Sequence, residues 1–143
     1  MGDIFADVFI CYHRSEGTSA LVRRIADELN SNGISCWYDM KDATPGSFLH
    51  SIQREISHCK VFLLIWDEGT NNSEWCINET YAAFDGKNHP VRIPFQIGDF
   101  KKDTEMDFYM RRSQVFYGGD SLETADTRNL ISKIVAVCNQ KAG

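Results

Sequence analysis

Long apolar runs are missing from this sequence. The longest, Val61 to Trp66, is strand-sized, far short of the roughly 20 residues that span a bilayer. With 3 prolines and 10 glycines in 143 residues, collagen-like and Pro/Gly-rich low-complexity material is excluded. Basic side chains are the minority, 15 against 20 acidic, and a formal charge of −5 sets aside nucleic-acid binding, which draws on clustered Lys and Arg. No basic leader followed by an apolar stretch opens the chain at Met1 to Asp7, so no secretory signal is expected, and the cytoplasm is the expected location, with no membrane partner. The cysteines, at 11, 36, 59, 76 and 138, are odd in number and form no C-x-x-C pair. His13, His50, His58 and His89 are scattered too, none an i,i+4 step from another, so no metal site is expected. Four of the five cysteines lie in or beside apolar segments, as buried free thiols of a reducing compartment do.

What is present suits a packed domain. Hydrophobic residues make up 43% and aromatics 12%, enough to exclude low-complexity disorder. At this length one domain over residues 1–143 is expected, able to bury roughly two-thirds of its unfolded surface without disulfides or metal. Asp7 to Tyr12 reads as a strand buried on both faces. Leu21, Ile25 and Leu29 then trace a helix face that stops at Asn32-Gly33. Ile34 to Tyr38 reads as a second strand. Asp39 to Gly46, with Pro45-Gly46, reads as a loop. Phe48, Ile52, Ile56 and Cys59 mark a second helix, and Val61 to Trp66 the central strand. After a polar loop, Asp67 to Asn72, Ser73 is a good N-cap for a helix to about Phe84. Val91 to Phe95 reads as a strand cut short by Pro94, Lys101 to Arg112 as a short irregular helix, Gln114 to Tyr117 as an edge strand, and Leu130, Ile134 and Cys138 as a last helix.

This alternation implies a mainly parallel sheet of about five strands with helices on both faces. Ligands of such sheets gather beyond the carboxyl ends of the strands, which directs attention to the loops 13–18, 39–46 and 67–73. No G-x-G-x-x-G is present, so hydride transfer on a nicotinamide fold is not indicated.

Four strings, in order, resemble the boxes of TIR domains. Asp7-Val8-Phe9-Ile10-Cys11-Tyr12 is similar to the first box, and Arg14-Ser15-Glu16-Gly17-Thr18 to the R-x-x-G-[ST] that follows it in bacterial members and in an axon-degeneration NAD hydrolase. Gly33 to Trp37, Asp39 and Pro45-Gly46 resemble the second box and its mobile loop. Ser73-Glu74-Trp75-Cys76-Ile77-Asn78-Glu79 matches S-x-W-C-x-x-E, which holds a W-x-x-x-E core. Cys11 and Trp66 stand where serine is usual, and the third box is reduced to Phe116-Tyr117. The resemblance implies a flavodoxin-like three-layer α/β sandwich. It also implies one of two activities: cleavage of NAD+ at the ribose–nicotinamide bond, or non-catalytic assembly with other TIR domains.

For the first activity the resemblance makes Glu79 catalytic, and the chemistry agrees. Nicotinamide leaves as a neutral pyridine, so no acid need protonate it, and a single carboxylate can stabilise the oxocarbenium-like ribose that remains. Trp75 lies one turn from Glu79, on the same helix face; it either stacks on a flat ligand or fills the core. Arg14 beside the helix start at Gly17-Thr18 would seat a pyrophosphate, or else form a surface ion pair with Glu16 or Asp39. Tyr12 and His13 could pack on nicotinamide or ribose, or Tyr12 could simply close the sheet edge. Trp37, Asp39 and Phe48 complete the expected substrate contacts. The loop residues Asp42, Ala43, Thr44, Pro45 and Gly46 are expected to contact a neighbouring molecule. NAD+ is then substrate and no cofactor is needed; the other partners would be further TIR domains or an activating sensor protein. A phosphoacceptor of similar topology would need an acidic pair after the first strand, where Tyr12-His13-Arg14 stand, and Asp67 alone does not supply it.

Overall fold

Val61–Trp66 (β3) is buried on both faces along its whole length, and it lies at the centre of the sheet, as its unbroken apolar composition requires. The computed structural model describes residues 5–13, 15–38, 54–85, 90–100, 105–110 and 113–142. The other strands are β1 (Val8–Cys11), β2 (Cys36–Trp37), β4 (Val91–Ile97) and β5 (Phe116–Gly119). Their spatial order is β2-β1-β3-β4-β5 and every pairing is parallel. The helices are α1 (Glu16–Asn30), α2 (of which residues 54–58 are described), α3 (Glu74–Asp85), α4 (Glu105–Met110) and α5 (Arg128–Ala142).

Strand alternation divides the interior in two. Val8, Ile10, Leu63 and Ile65 face Leu21, Ile25 and Leu29 of α1 and Leu130 and Ile134 of α5. Phe9, Cys11, Phe62, Leu64 and Trp66 point to the other side, against Ile56 of α2, Cys76 and Ala83 of α3, and Met106 and Met110 of α4. A one-residue slip in any of these strands would exchange the two faces, so both cores fix the register. The expected three-layer, flavodoxin-like sandwich is what forms. Among the described residues no helix is long and apolar enough to cross a membrane.

Several boundaries differ from the sequence expectation, each for a local reason. β2 pairs only through Cys36 and Trp37, because the amide of Ile34 is bonded to Leu29 O in the cap of α1 and that of Ser35 to the Asp7 carboxylate. Gly33, at φ +76°, makes that reversal, a left-handed position suited to glycine. β4 runs through Pro94 to Ile97 instead of stopping. β5 pairs with it only from Phe95 onward, so Pro94 has an unladdered flank where a missing N–H is tolerated. The polar stretch after β3 is not irregular. Glu68–Asn72 is a 3-10 helix (η1) capped by Asp67, whose Oδ1 accepts from Thr70 N (3.0 Å) and Thr70 Oγ1 (2.8 Å). β5 lies two residues later than expected and remains an edge strand.

Candidate functional site

The connections reverse direction across the sheet between β1 and β3, and the crevice beyond their carboxyl ends is where open α/β sheets bind ligands. Glu79 reaches this region from below. Ser73 caps α3, with its Oγ accepting from Cys76 N at 3.2 Å, and this fixes where the helix begins. Counting from that start, Cys76 and Glu79 are one turn apart and both turn inward. Glu79 is only 5% exposed, and its Oε2 is buried with no hydrogen-bond partner among the described residues. Burial is the main reason its carboxyl is pushed up to about 8, the Cys11 thiol's hydrogen bond opposing and Cys76 assisting. At neutral pH, with nothing bound, this group is therefore mostly a neutral acid.

Two buried thiols flank it. Cys11 Sγ donates to Cys76 O at 3.9 Å. Burial holds Cys11 well above the usual thiol range, whereas the hydrogen bond from Cys11 holds Cys76 below it. Asp67 also acts on Cys76, weakly and in the raising direction.

Above it, His13 Nε2 lies 3.0 Å from Asp67 Oδ2, with side-chain exposures of 28% and 15%. The ring rests on Gly69, where an added Cβ would come within 2.5 Å of Nε2. His13 O accepts from Thr18 Oγ1 at 2.7 Å. Nothing local in the sequence pairs Asp67 with His13; the available signal is its place just after the most buried strand, at the crevice.

The remaining expected site residues are placed as follows. Thr18 is buried and its hydroxyl belongs to a capping box: Thr18 N donates to Ser15 Oγ (3.1 Å) and Ser15 N to Thr18 Oγ1 (2.9 Å). Two of the first amides of α1 are thus satisfied internally. Gly17 packs against the segment after β5, where an added Cβ would be 3.0 Å from Leu122 Cδ1. Tyr12 packs on the α1/α5 side and donates its hydroxyl to Tyr38 O at 3.1 Å, so its ring lies on the opposite side of the sheet from Glu79. Trp37 lies on the Glu79 side, stacked on Phe9 with ring centroids 5.0 Å apart. Arg14, Asp39, Phe48, Asp42, Ala43, Thr44, Pro45 and Gly46 lie outside the described residues, as does the side chain of Trp75.

A cavity of about 270 Å³ opens next to Asp67, at the carboxyl ends of β3, β4 and β5. Among the described residues Asp67, Glu68, Asp99 and Asp120 line it and no basic residue does, a lining that disfavours an anionic group. Among the described residues no group of three or more His, Cys, Asp or Glu is arranged to hold a metal ion.

Comparison with known proteins agrees with this geometry. The family model for the TIR domain matches residues 8–131. The TIR domain of the Toll-related receptor TRR-2 from Hydra magnipapillata superposes with a TM-score of 0.63 at 20% identity, over 90% of this chain and 98% of that one. A metazoan TIR-STING receptor from C. gigas, solved in complex with 2',3'-cGAMP, gives 0.66 at 25% identity over 93% of this chain; the match spans 39% of the receptor's own length. A flavodoxin from Pseudomonas aeruginosa shares the fold alone, at 0.50 and 11% identity over 92% of this chain and 98% of its own. A search of curated proteins returns no match. The chain belongs to the TIR domain family, whose members include NAD-cleaving enzymes and signalling adaptors, and which self-associate or bind other TIR domains.

Proposed function

We propose that this TIR domain is an NAD+ nucleosidase. It breaks the ribose–nicotinamide bond and releases nicotinamide with ADP-ribose or a cyclised isomer. Self-association switches it on, and a cytoplasmic defence response, against phage in a prokaryotic setting, is the role that fits. NAD+ enters as substrate and no cofactor takes part.

The observation that carries this reading is Glu79, a carboxyl almost wholly buried beneath the crevice with one oxygen unpartnered. A buried, unsatisfied acid costs stability, and such costs concentrate where a ligand repays them. The nicotinamide ring of NAD+ is a cation. Its approach favours the ionised form of Glu79, so an acid that is neutral at rest becomes a carboxylate as substrate arrives. That charge, in surroundings of low dielectric constant, then opposes the positive charge developing on the ribose as neutral nicotinamide departs. Charge also orients the dinucleotide. The acidic side chains described around the cavity beside Asp67 repel a pyrophosphate, and by the family resemblance Arg14 is the residue to pair with it. By the family resemblance, Trp37, Trp75, Asp39 and Phe48 contact the substrate, and Asp42 to Gly46 contact a neighbouring molecule.

The test is to incubate concentrated protein with NAD+ and identify products by mass spectrometry beside Glu79→Ala. Product from the wild type and none from the variant supports the enzyme; an unchanged rate in the variant removes Glu79 from its role. The adaptor reading draws on the exposed Tyr81 (51%) of α3 and Tyr117 (55%) of β5, apolar surface suited to another TIR domain. It takes over if the wild type stays inert even when assembled, and light scattering with and without NAD+ tells the two apart: assembly that depends on the nucleotide belongs to the enzyme.

A further inference from the structure

We infer that His13, held by Asp67, is the general base that delivers water to the ribose cation, so that this pair sets the share of hydrolysis among the products. The inference rests on the NAD+-cleaving activity proposed above and names the residues that decide its outcome.

The pair is a built unit, tied at every atom that matters. Asp67 Oδ1 is occupied by Thr70 N and Thr70 Oγ1, which leaves Oδ2 for His13 Nε2 at 3.0 Å. A carboxylate only accepts, so Nε2 carries the proton and Nδ1 keeps the lone pair. Nδ1 has no hydrogen-bond partner among the described residues, and the ring is partly open to solvent. Thr18 holds the His13 carbonyl from one side, and Gly69 admits the ring edge from the other. The unit stands at the carboxyl ends of the paired strands β1 and β3, two residues beyond Cys11, the β1 residue that packs with Cys76 of the Glu79 helix. Surface His–Asp pairs with only a charge role do not need three elements to immobilise them.

The step balances simply. The C1′–N bond breaks with its electrons going to the nicotinamide nitrogen. A water oxygen bonds to C1′ as His13 Nδ1 takes one water proton, and that proton later passes to solvent. Asp67, which touches no substrate, is a positioning residue that fixes the tautomer and stabilises the imidazolium formed. Capture by a pyridine nitrogen differs in one respect: the nucleophile has no proton to lose and needs no base.

That difference supplies the test. NAD+ is incubated with the protein and a substituted pyridine such as 3-acetylpyridine, and ADP-ribose is measured against the exchanged dinucleotide. Both products arise from the same cation, so their ratio is independent of the fraction of protein folded and of how well NAD+ binds. In His13→Gln the ratio of hydrolysis to exchange falls by about 10²-fold, the lower end of what a general base contributes. In Asp67→Asn, whose amide oxygen can still accept from Thr70, the ratio falls by a smaller factor. A ratio unchanged in His13→Gln while NAD+ is still consumed overturns the inference and leaves the enzyme standing. An equal loss of both products in both variants shows a structural role only and also overturns it. A wild type that consumes no NAD+ when assembled overturns the nucleosidase reading itself, and this one with it.

Discussion

The thiol of Cys11 and the carboxyl of Glu79 are both buried on the same side of the sheet, and among the described residues neither has a charged partner to offset its burial. For Glu79 the consequence is a direct coupling of stability to pH. Its carboxyl titrates at about 8 in the folded chain, against an ordinary value of 4.5. Between those values the folded state binds a proton that the unfolded state has lost. Its stabilising contribution is complete below about pH 4.5 and disappears as pH rises through about 8. Glu79→Gln cannot ionise, so its melting temperature should exceed that of the wild type at pH 8.5, with the gap narrowing toward pH 5. Calorimetry at the two pH values checks this, and a gap that widens toward acid would contradict it.

Thr18 joins the helix cap to the crevice. Its hydroxyl accepts from Ser15 N and donates to His13 O, and it is fully buried. Thr18→Val keeps the shape and removes these bonds, leaving the partly buried His13 carbonyl without its donor. The expected cost is about 1–3 kcal/mol, read as a lower urea midpoint with an unchanged slope. A midpoint within error of the wild type would mean that the cap is dispensable.

Trp66 ends β3 with its indole N–H bonded to Asn71 Oδ1 at 2.8 Å and its ring almost fully buried. The residue stands where the family usually has serine, and η1 supplies the acceptor that the larger side chain requires. Asn71→Leu should destabilise the chain by about 1–3 kcal/mol, because the buried N–H is left unpaired. Asn71→Ala, which leaves room for a water, should cost less than Asn71→Leu. Denaturation curves of the two variants side by side give the order.

Much of the framework was legible because it is written in local periodicity. β3 is legible at its full length in its apolar run, and α3 in Ser73 as cap, which in turn puts Glu79 one turn from Trp75; that this face turns inward is seen only in the structure. The continuation of β4 through Pro94 was not legible, since it depends on where β5 begins to pair. Thr18 and His13 show a different limit. In sequence Thr18 suggested a phosphate seat at a helix start, yet its hydroxyl closes a capping box that Ser15-x-x-Thr18 could have announced. His13 and Asp67 are 54 positions apart, and only the strand order that sets β1 beside β3 brings them to 3.0 Å. The comparable D-x-x-T spacing at Asp67 and Thr70, in a stretch that reads as a polar loop, could have announced the cap of η1, but not that the second carboxylate oxygen would find a histidine.

Gly69 offers a way to disturb that pair without touching either member. Its backbone is not in the left-handed region, so alanine brings no backbone strain. The added methyl, however, would stand within 2.5 to 2.9 Å of three atoms of the His13 ring, closer than side chains approach. The cheapest relief is rotation of the ring away from Asp67, since η1 on one side is held by its cap and β1 on the other by the ladder. Gly69→Ala should therefore fold with a loss of about 1 kcal/mol or a little more, typical of mild overpacking. It should also break the His13–Asp67 contact, seen as a shift of the His13 ring resonances in an NMR spectrum. In the exchange assay it should lower the hydrolysis share in the same direction as His13→Gln, although both side chains remain present. If the ring resonances move and the product ratio does not, the orientation of His13 is irrelevant to water capture, and the role assigned to Asp67 fails with it.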